Sequence, residues 1–89
     1  MKGIITVIGK DRVGIIAKVC VYLSGNNVNV LDISQTIVQG YFNMLMIVDY
    51  TKTAKKFEEL ARELEVVGEE IGVKIKLQHE DIFNTMHRI

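Results

Sequence analysis

A chain of 89 residues with 11 basic and 11 acidic side chains, zero formal net charge, 48% hydrophobic and 25% charged residues is expected to fold as one ordinary soluble domain. Nucleic-acid and membrane surfaces are set aside, because lysine and arginine are dispersed among equal acid instead of clustering on a basic face. The apolar run after Met1-Lys2 is too short for a secretory signal, no stretch approaches the roughly twenty residues of a membrane span, and the single Cys20 has no internal disulfide partner, so the expected compartment is the cytoplasm.

In chain order, Ile4-Ile5-Thr6-Val7-Ile8 reads as a first strand feeding through Gly9-Lys10-Asp11-Arg12-Val13-Gly14-Ile15 into a helix. Such a junction presents free backbone N–H groups to an anion. Gly9 is expected to make the tight turn, Asp11 to cap the helix, and Gly14 to allow close packing or ligand approach. The helix is predicted from about Arg12 to Ser24, with Val13, Ile16, Ala17, Cys20 and Leu23 on its core stripe and Gly25 ending it. Alternation starting at Asn27-Val28-Asn29-Val30 predicts a second strand to about Val38, and Gln39-Gly40 a hairpin turn. Tyr41 to Tyr50 follows as a third strand, with Phe42, Met44, Met46 and Val48 on one face and Leu45 and Ile47 on the other. Phe57, Leu60, Ala61, Leu64, Val67, Gly68 and Ile71 mark a second helix stopped by Gly72, and Val73 to Gln78 alternates as a fourth strand.

The order strand, helix, strand, strand, helix, strand predicts an α+β, ferredoxin-like βαββαβ sandwich: a four-stranded antiparallel sheet with both helices on one face. Residues 1–79 form that domain. The tail, 80–89, repeats Ile82, Phe83, Met86 and Ile89 at helical spacing and is expected to pack as a short helix on the sheet or on a partner subunit, in cis or in trans. Leu31, Ile33, Leu45 and Ile47, with Ile5 or Val7 among them, are expected to leave an apolar outer sheet face that serves as a contact surface.

Three segments together, Gly9 to Ala17, Asn29 to Gln35 and Tyr41 to Met44, resemble the ACT domain. The likeness is greatest to the G-x-D-R-P-G-I variety of glycine-cleavage regulators, formyltetrahydrofolate deformylases and nitrogen-sensing uridylyltransferases, and it covers nearly the whole chain. The resemblance implies a non-enzymatic regulatory domain that pairs into a homodimer and binds an amino-acid-type effector at the interface, without a cofactor, signalling to a protein partner. The implied ligand residues are Gly9, Lys10, Asp11, Arg12, Val13, Gly14 and Ile15 in the loop with Asn29 and Val30 at the second strand, the two segments meeting across the dimer. On chemical grounds a carboxylate suits the helix N-terminus, and Asp11, Asn29 or Asp32 suits an ammonium. The family's proline is Val13 here, which removes a preorganising residue from the first helical position.

Plainer roles stand beside these. Asp11 is a helix cap whatever else it does, Arg12 is as well suited to pairing with Asp32 as to holding a ligand, and Cys20 is a small hydrophobe on a buried stripe. His79 and His87 lack a third ligand at metal-binding spacing. The alternatives to effector sensing are a ligand-free dimerisation or adaptor module and, more remotely, an acylphosphatase-like enzyme using Arg12 and Asn29. Asp11 beside a bound phosphate argues against the enzyme.

Overall fold

The computed structural model describes residues 1–80. Its elements are β1 (Lys2–Lys10), α1 (Ile15–Gly25), β2 (Asn29–Val38), β3 (Tyr41–Asp49), α2 (Phe57–Ile71) and β4 (Val73–His79). The sheet runs β2-β3-β1-β4, and every neighbouring pair is antiparallel. This is the βαββαβ arrangement expected from the order of elements. The proposed tail helix falls on residues that lie, from 81 onward, outside the described ones.

Alternation along the strands decides which side chains meet the helices. Ile5 and Val7 of β1 share rows with Met46 and Met44 of β3 and with Leu77 and Ile75 of β4, and all six are buried in one cluster with Ile15, Val19 and Leu23 of α1 and Leu60 and Leu64 of α2. Ile5 and Val7 therefore lie under the helices, not on the outer face. That outer face carries Thr6, Ile8, Leu45 and Ile47 instead, of which Leu45 and Ile47 are half-buried. Leu31 is the extra residue of a bulge between Val30 and Asp32. The bulge resets the alternation, so Ile33 joins the row of Met46 on the helix side of the sheet.

The core stripe of α1 also differs from the expected one. Its buried residues are Ile15, Val19 and Leu23, while Val13 and Ala17 are exposed and Ile16 and Cys20 are half-buried. Apolar residues occupy almost the full circumference of this helix, so periodicity could not choose a face. The α2 stripe is as expected, because its glutamates leave only one apolar side. Asn27, at φ 58, turns the chain after α1: its N–H reaches the Ser24 carbonyl at 3.3 Å and the Val28 N–H reaches Leu23 at 3.0 Å, a Schellman closure with asparagine in the left-handed place. Gly25 ends the helix without supplying that turn, and β2 starts at Asn29 instead of Asn27.

Candidate functional site

The loop between β1 and α1 is built differently from its sequence reading. Helix α1 starts at Ile15, and its N-cap is Gly14 at φ 92, ψ 1, with no side chain accepting from the first turn. Asp11 is thus not the cap. It lies too far before the helix, and its own N–H is engaged by the Gly40 carbonyl of the β2–β3 turn at 2.9 Å. The two bracketing glycines also exchange roles. Gly14 provides the left-handed backbone turn and has open space where a Cβ would stand, whereas a Cβ on Gly9 would come within 2.7 Å of Val73 Cγ1 and 3.0 Å of its Cα. Gly9 is the close-packing position.

From this construction the loop displays Lys10, Asp11, Arg12 and Val13 to solvent. The first intrahelical bond runs from the Lys18 N–H to the Gly14 carbonyl at 2.9 Å, so the N–H groups of Ile15, Ile16 and Ala17 lie outside the helical ladder at its positive end. The Ile15 side chain itself is buried in the core and offers only its backbone. Arg12 does not meet Asp32. Its guanidinium lies beside Gly72, 3.3 to 3.6 Å from where a Cβ on that residue would stand, at the C-terminal end of α2 and the β4 edge of the sheet. Asp32 sits on β2, the opposite edge, where its Oδ1 accepts from the Ile33 N–H at 2.8 Å.

Asn29 and Val30 are equally remote from the loop within one chain. Asn29 pairs with Asp49, which pairs with Lys2, whereas the loop begins beyond Lys10, the other end of β1. At about 3.3 Å per residue the two ends are roughly 26 Å apart. One copy brings Gly9 through Gly14 together and leaves Asn29, Val30 and Asp32 at a distance.

Two clusters escaped the sequence reading. Tyr22 of α1 donates to Glu63 of α2 at 2.7 Å, and the Lys55 ammonium pairs with the same carboxylate. Burial first, then the Glu63 carboxylate, raises the Tyr22 hydroxyl above its ordinary range, while Lys55 and then Tyr22 hold Glu63 below its own. At the far end of the sheet His79 stacks on Phe57 with ring centroids 3.7 Å apart, and its Nδ1 is 2.9 Å from the Tyr50 hydroxyl. Neither cluster has a signature at short sequence range. No three metal-ligating side chains converge among the described residues, and none of their helices is long and apolar enough to cross a membrane.

The chain is a two-layer ferredoxin-like domain with an exposed, uncapped loop at its first strand-helix junction. Residues 3–78 match the ACT domain, and the chain belongs to that family. It is 62% identical over 88 residues to a UPF0237 protein of Bifidobacterium longum, covering 99% of this chain and 98% of the relative. Among solved structures it is similar to an ACT domain protein from Streptococcus pneumoniae, with 41% identity, a TM-score of 0.83 and 93% of each chain covered. It is also similar to the regulatory subunit of aspartate kinase from Thermus thermophilus in its ligand-free form, with 29% identity and a TM-score of 0.66 over 86% of this chain and 50% of that one. ACT domains are regulatory, ligand-binding domains.

Proposed function

We propose that this chain is a non-enzymatic cytoplasmic sensor that binds an amino-acid-type effector at a homodimer interface and passes the signal to a partner protein. The observation that carries this reading is the uncapped start of α1. Three backbone N–H groups and a positive helix end suit a carboxylate, and the exposed Asp11 beside them suits an ammonium.

Dimerisation through β2 supplies the missing half of the site. β2 is an edge strand of ten residues, exposed along nearly its whole length, and its apolar side chains include Ile33 at 43% and Ile37 at 56% exposure. An open edge of this length invites another strand. Two copies related by a two-fold axis pair their β2 strands antiparallel. Asn29 of one copy then falls beside Val38 of the other, at the end of the sheet where the Gly9 to Gly14 loop stands. Antiparallel pairing in this register carries the partner's Asn29 to the end of the sheet at which the loop stands, which supports a site shared between the two copies.

The same exposed edge favours assembly without any ligand, which is the second reading. A thermal-shift screen against individual amino acids separates the two. A ligand at roughly one hundred times its dissociation constant adds about 2.7 kcal/mol of stability. A selective shift that disappears in Asp11→Ala supports the sensor, and this variant keeps its helix because Asp11 is not the cap. A dimer that shifts with no amino acid refutes the effector and leaves the adaptor.

A further inference from the structure

We propose that the outer edge of β4, with the cleft beside it, takes up an extended segment of a partner protein as a fifth strand. Among the described residues no strand pairs with that edge. Every second residue of an edge strand turns its N–H and C=O outward, and these groups are the template for strand addition. Along the same edge runs a cleft of about 480 Å³ between Glu65 and Glu69 of α2 and the first residues of β4. It lies along the Gly72 to Lys76 half of the strand, away from the end where the chain continues past Glu80.

Beside the cleft α2 packs closely on β4. A Cβ on Gly68 would stand 2.6 Å from the Val73 carbonyl oxygen, so the helix backbone nearly touches the strand there. Glu65 and Glu69, on the turns flanking Gly68, overhang the edge as the acidic wall, while Lys74 and Lys76 project from β4 on the outer sheet face. An incoming strand alternates between these two environments with a period of two. Its residues opposite Lys74 and Lys76 are acidic. Those between them enter the cleft, where an apolar side chain meets Val73 and Ile75 and a basic one reaches Glu65 or Glu69. Arg12, which makes no ion pair or hydrogen bond among the described residues, lies at the Gly72 end and is free to meet a further carboxylate.

Charge also selects the occupant. Pairing β4 with the β4 of a second copy would set Lys74 and Lys76 against their own counterparts, and like charges directly opposite one another destabilise a strand pair. The edge is therefore guarded against this chain and open to a strand of the opposite charge pattern. This inference does not depend on the effector reading: its ladder and charge contacts lie on β4, and Arg12 is the one residue it borrows from the effector loop.

The test uses a fluorescein-labelled short peptide alternating glutamate and valine, and the same peptide N-methylated at alternate residues, with binding read by anisotropy on the full chain. The expected result is saturable binding that the N-methylated peptide loses by at least about tenfold, because its side chains are unchanged but its ladder bonds are gone. A Lys74→Glu, Lys76→Glu double variant with unaltered circular dichroism is expected to lose the acidic peptide by a similar factor and to gain one in which lysine replaces glutamate. Absence of saturation overturns the proposal. Equal binding of the N-methylated peptide does so too, since it would reduce the contact to charge attraction, and that comparison needs only the wild-type chain.

Discussion

Gly9 and Gly14 bracket the same loop, yet alanine at each is expected to destabilise the fold for unrelated reasons, and the difference is measurable. At Gly14 a Cβ meets nothing, so the whole effect of Gly14→Ala comes from holding an L side chain at φ 92. That conformation costs roughly 1 to 2 kcal/mol, and for a domain of this size each 1 kcal/mol moves Tm by about 4 to 8 °C. At Gly9 the backbone is ordinary strand and the effect is collision: approaches of 2.7 Å to Val73 Cγ1 and 3.0 Å to its Cα force β4 away from β1, an overpacking cost of about 1 to 3 kcal/mol. The rescues are distinct. Asparagine, which tolerates the left-handed region, recovers part of the loss at Gly14. Val73→Ala recovers part of the loss at Gly9, since it removes the nearest carbon but leaves the β4 backbone where it was. Thermal unfolding is followed by circular dichroism at one fixed protomer concentration without ligand, since either variable shifts Tm by itself. A double-mutant cycle should show coupling of at least about 0.5 kcal/mol between positions 9 and 73 and none between 14 and 73. A neutral Gly14→Ala, or a rescue of Gly14→Ala by Val73→Ala, would refute the division of labour between the two glycines.

Three further outcomes follow from the packing and the charges. Leu64, 1% exposed between α2 and the sheet, should cost about 2 to 5 kcal/mol when cut to alanine, read from denaturant unfolding at unchanged slope. Asp49, held at about 2 chiefly by the Thr51 hydroxyl and amide, and Glu63, held low by Lys55 and Tyr22, both have folded pKa values below their unfolded ones, so their contribution is complete above about pH 4.5 and declines as pH falls toward the folded values. Acid titration of stability should flatten in Asp49→Asn and Glu63→Gln, and an unchanged profile in both would contradict the assignment. Tyr22, raised by burial and by Glu63, should stay protonated in an ultraviolet titration beyond the ordinary tyrosine range, and Glu63→Gln should bring its ionisation to lower pH.

The sequence was informative where a pattern is local and one-sided. The α2 boundaries follow from a helix with acid on every face but one, β4 from strict alternation, and the Gln39-Gly40 turn from residues that accept positive φ, observed at 51° and 80°. It misled where the chain offers equivalent choices. The nearly all-apolar α1 conceals its buried face, and Asp11 is a good cap residue in the wrong place, because the turn through Val13 and Gly14 delays the helix past it. The bulge at Leu31 reassigns Ile33 from one face to the other, and nothing in the composition of β2 announces it. The cleft beside β4 was invisible for a different reason. It lies beside the close approach of Gly68 to Val73, a tertiary distance between positions whose separate roles, helix stripe and strand alternation, were already satisfied.

The shared-site geometry carries a consequence that a site confined to one chain does not. If each effector site takes its loop from one copy and its Asn29 from the other, Asp11→Ala and Asn29→Ala damage both sites of their own homodimers. A dimer of one copy of each variant has one site carrying both defects and one site carrying neither. Mixing equal amounts of the two inactive proteins under conditions that exchange subunits gives, by random pairing, about half heterodimers. About one quarter of all sites are then intact, with the affinity of the unmodified protein. Isothermal titration with the effector found in the thermal-shift screen should therefore report no binding for either variant alone and about one quarter of the normal stoichiometry for the mixture. A site held within a single chain predicts no recovery at all, since every copy would carry its own defect. Recovery at reduced affinity and full stoichiometry would also refute the sharing, because complementation restores whole sites and leaves the rest empty.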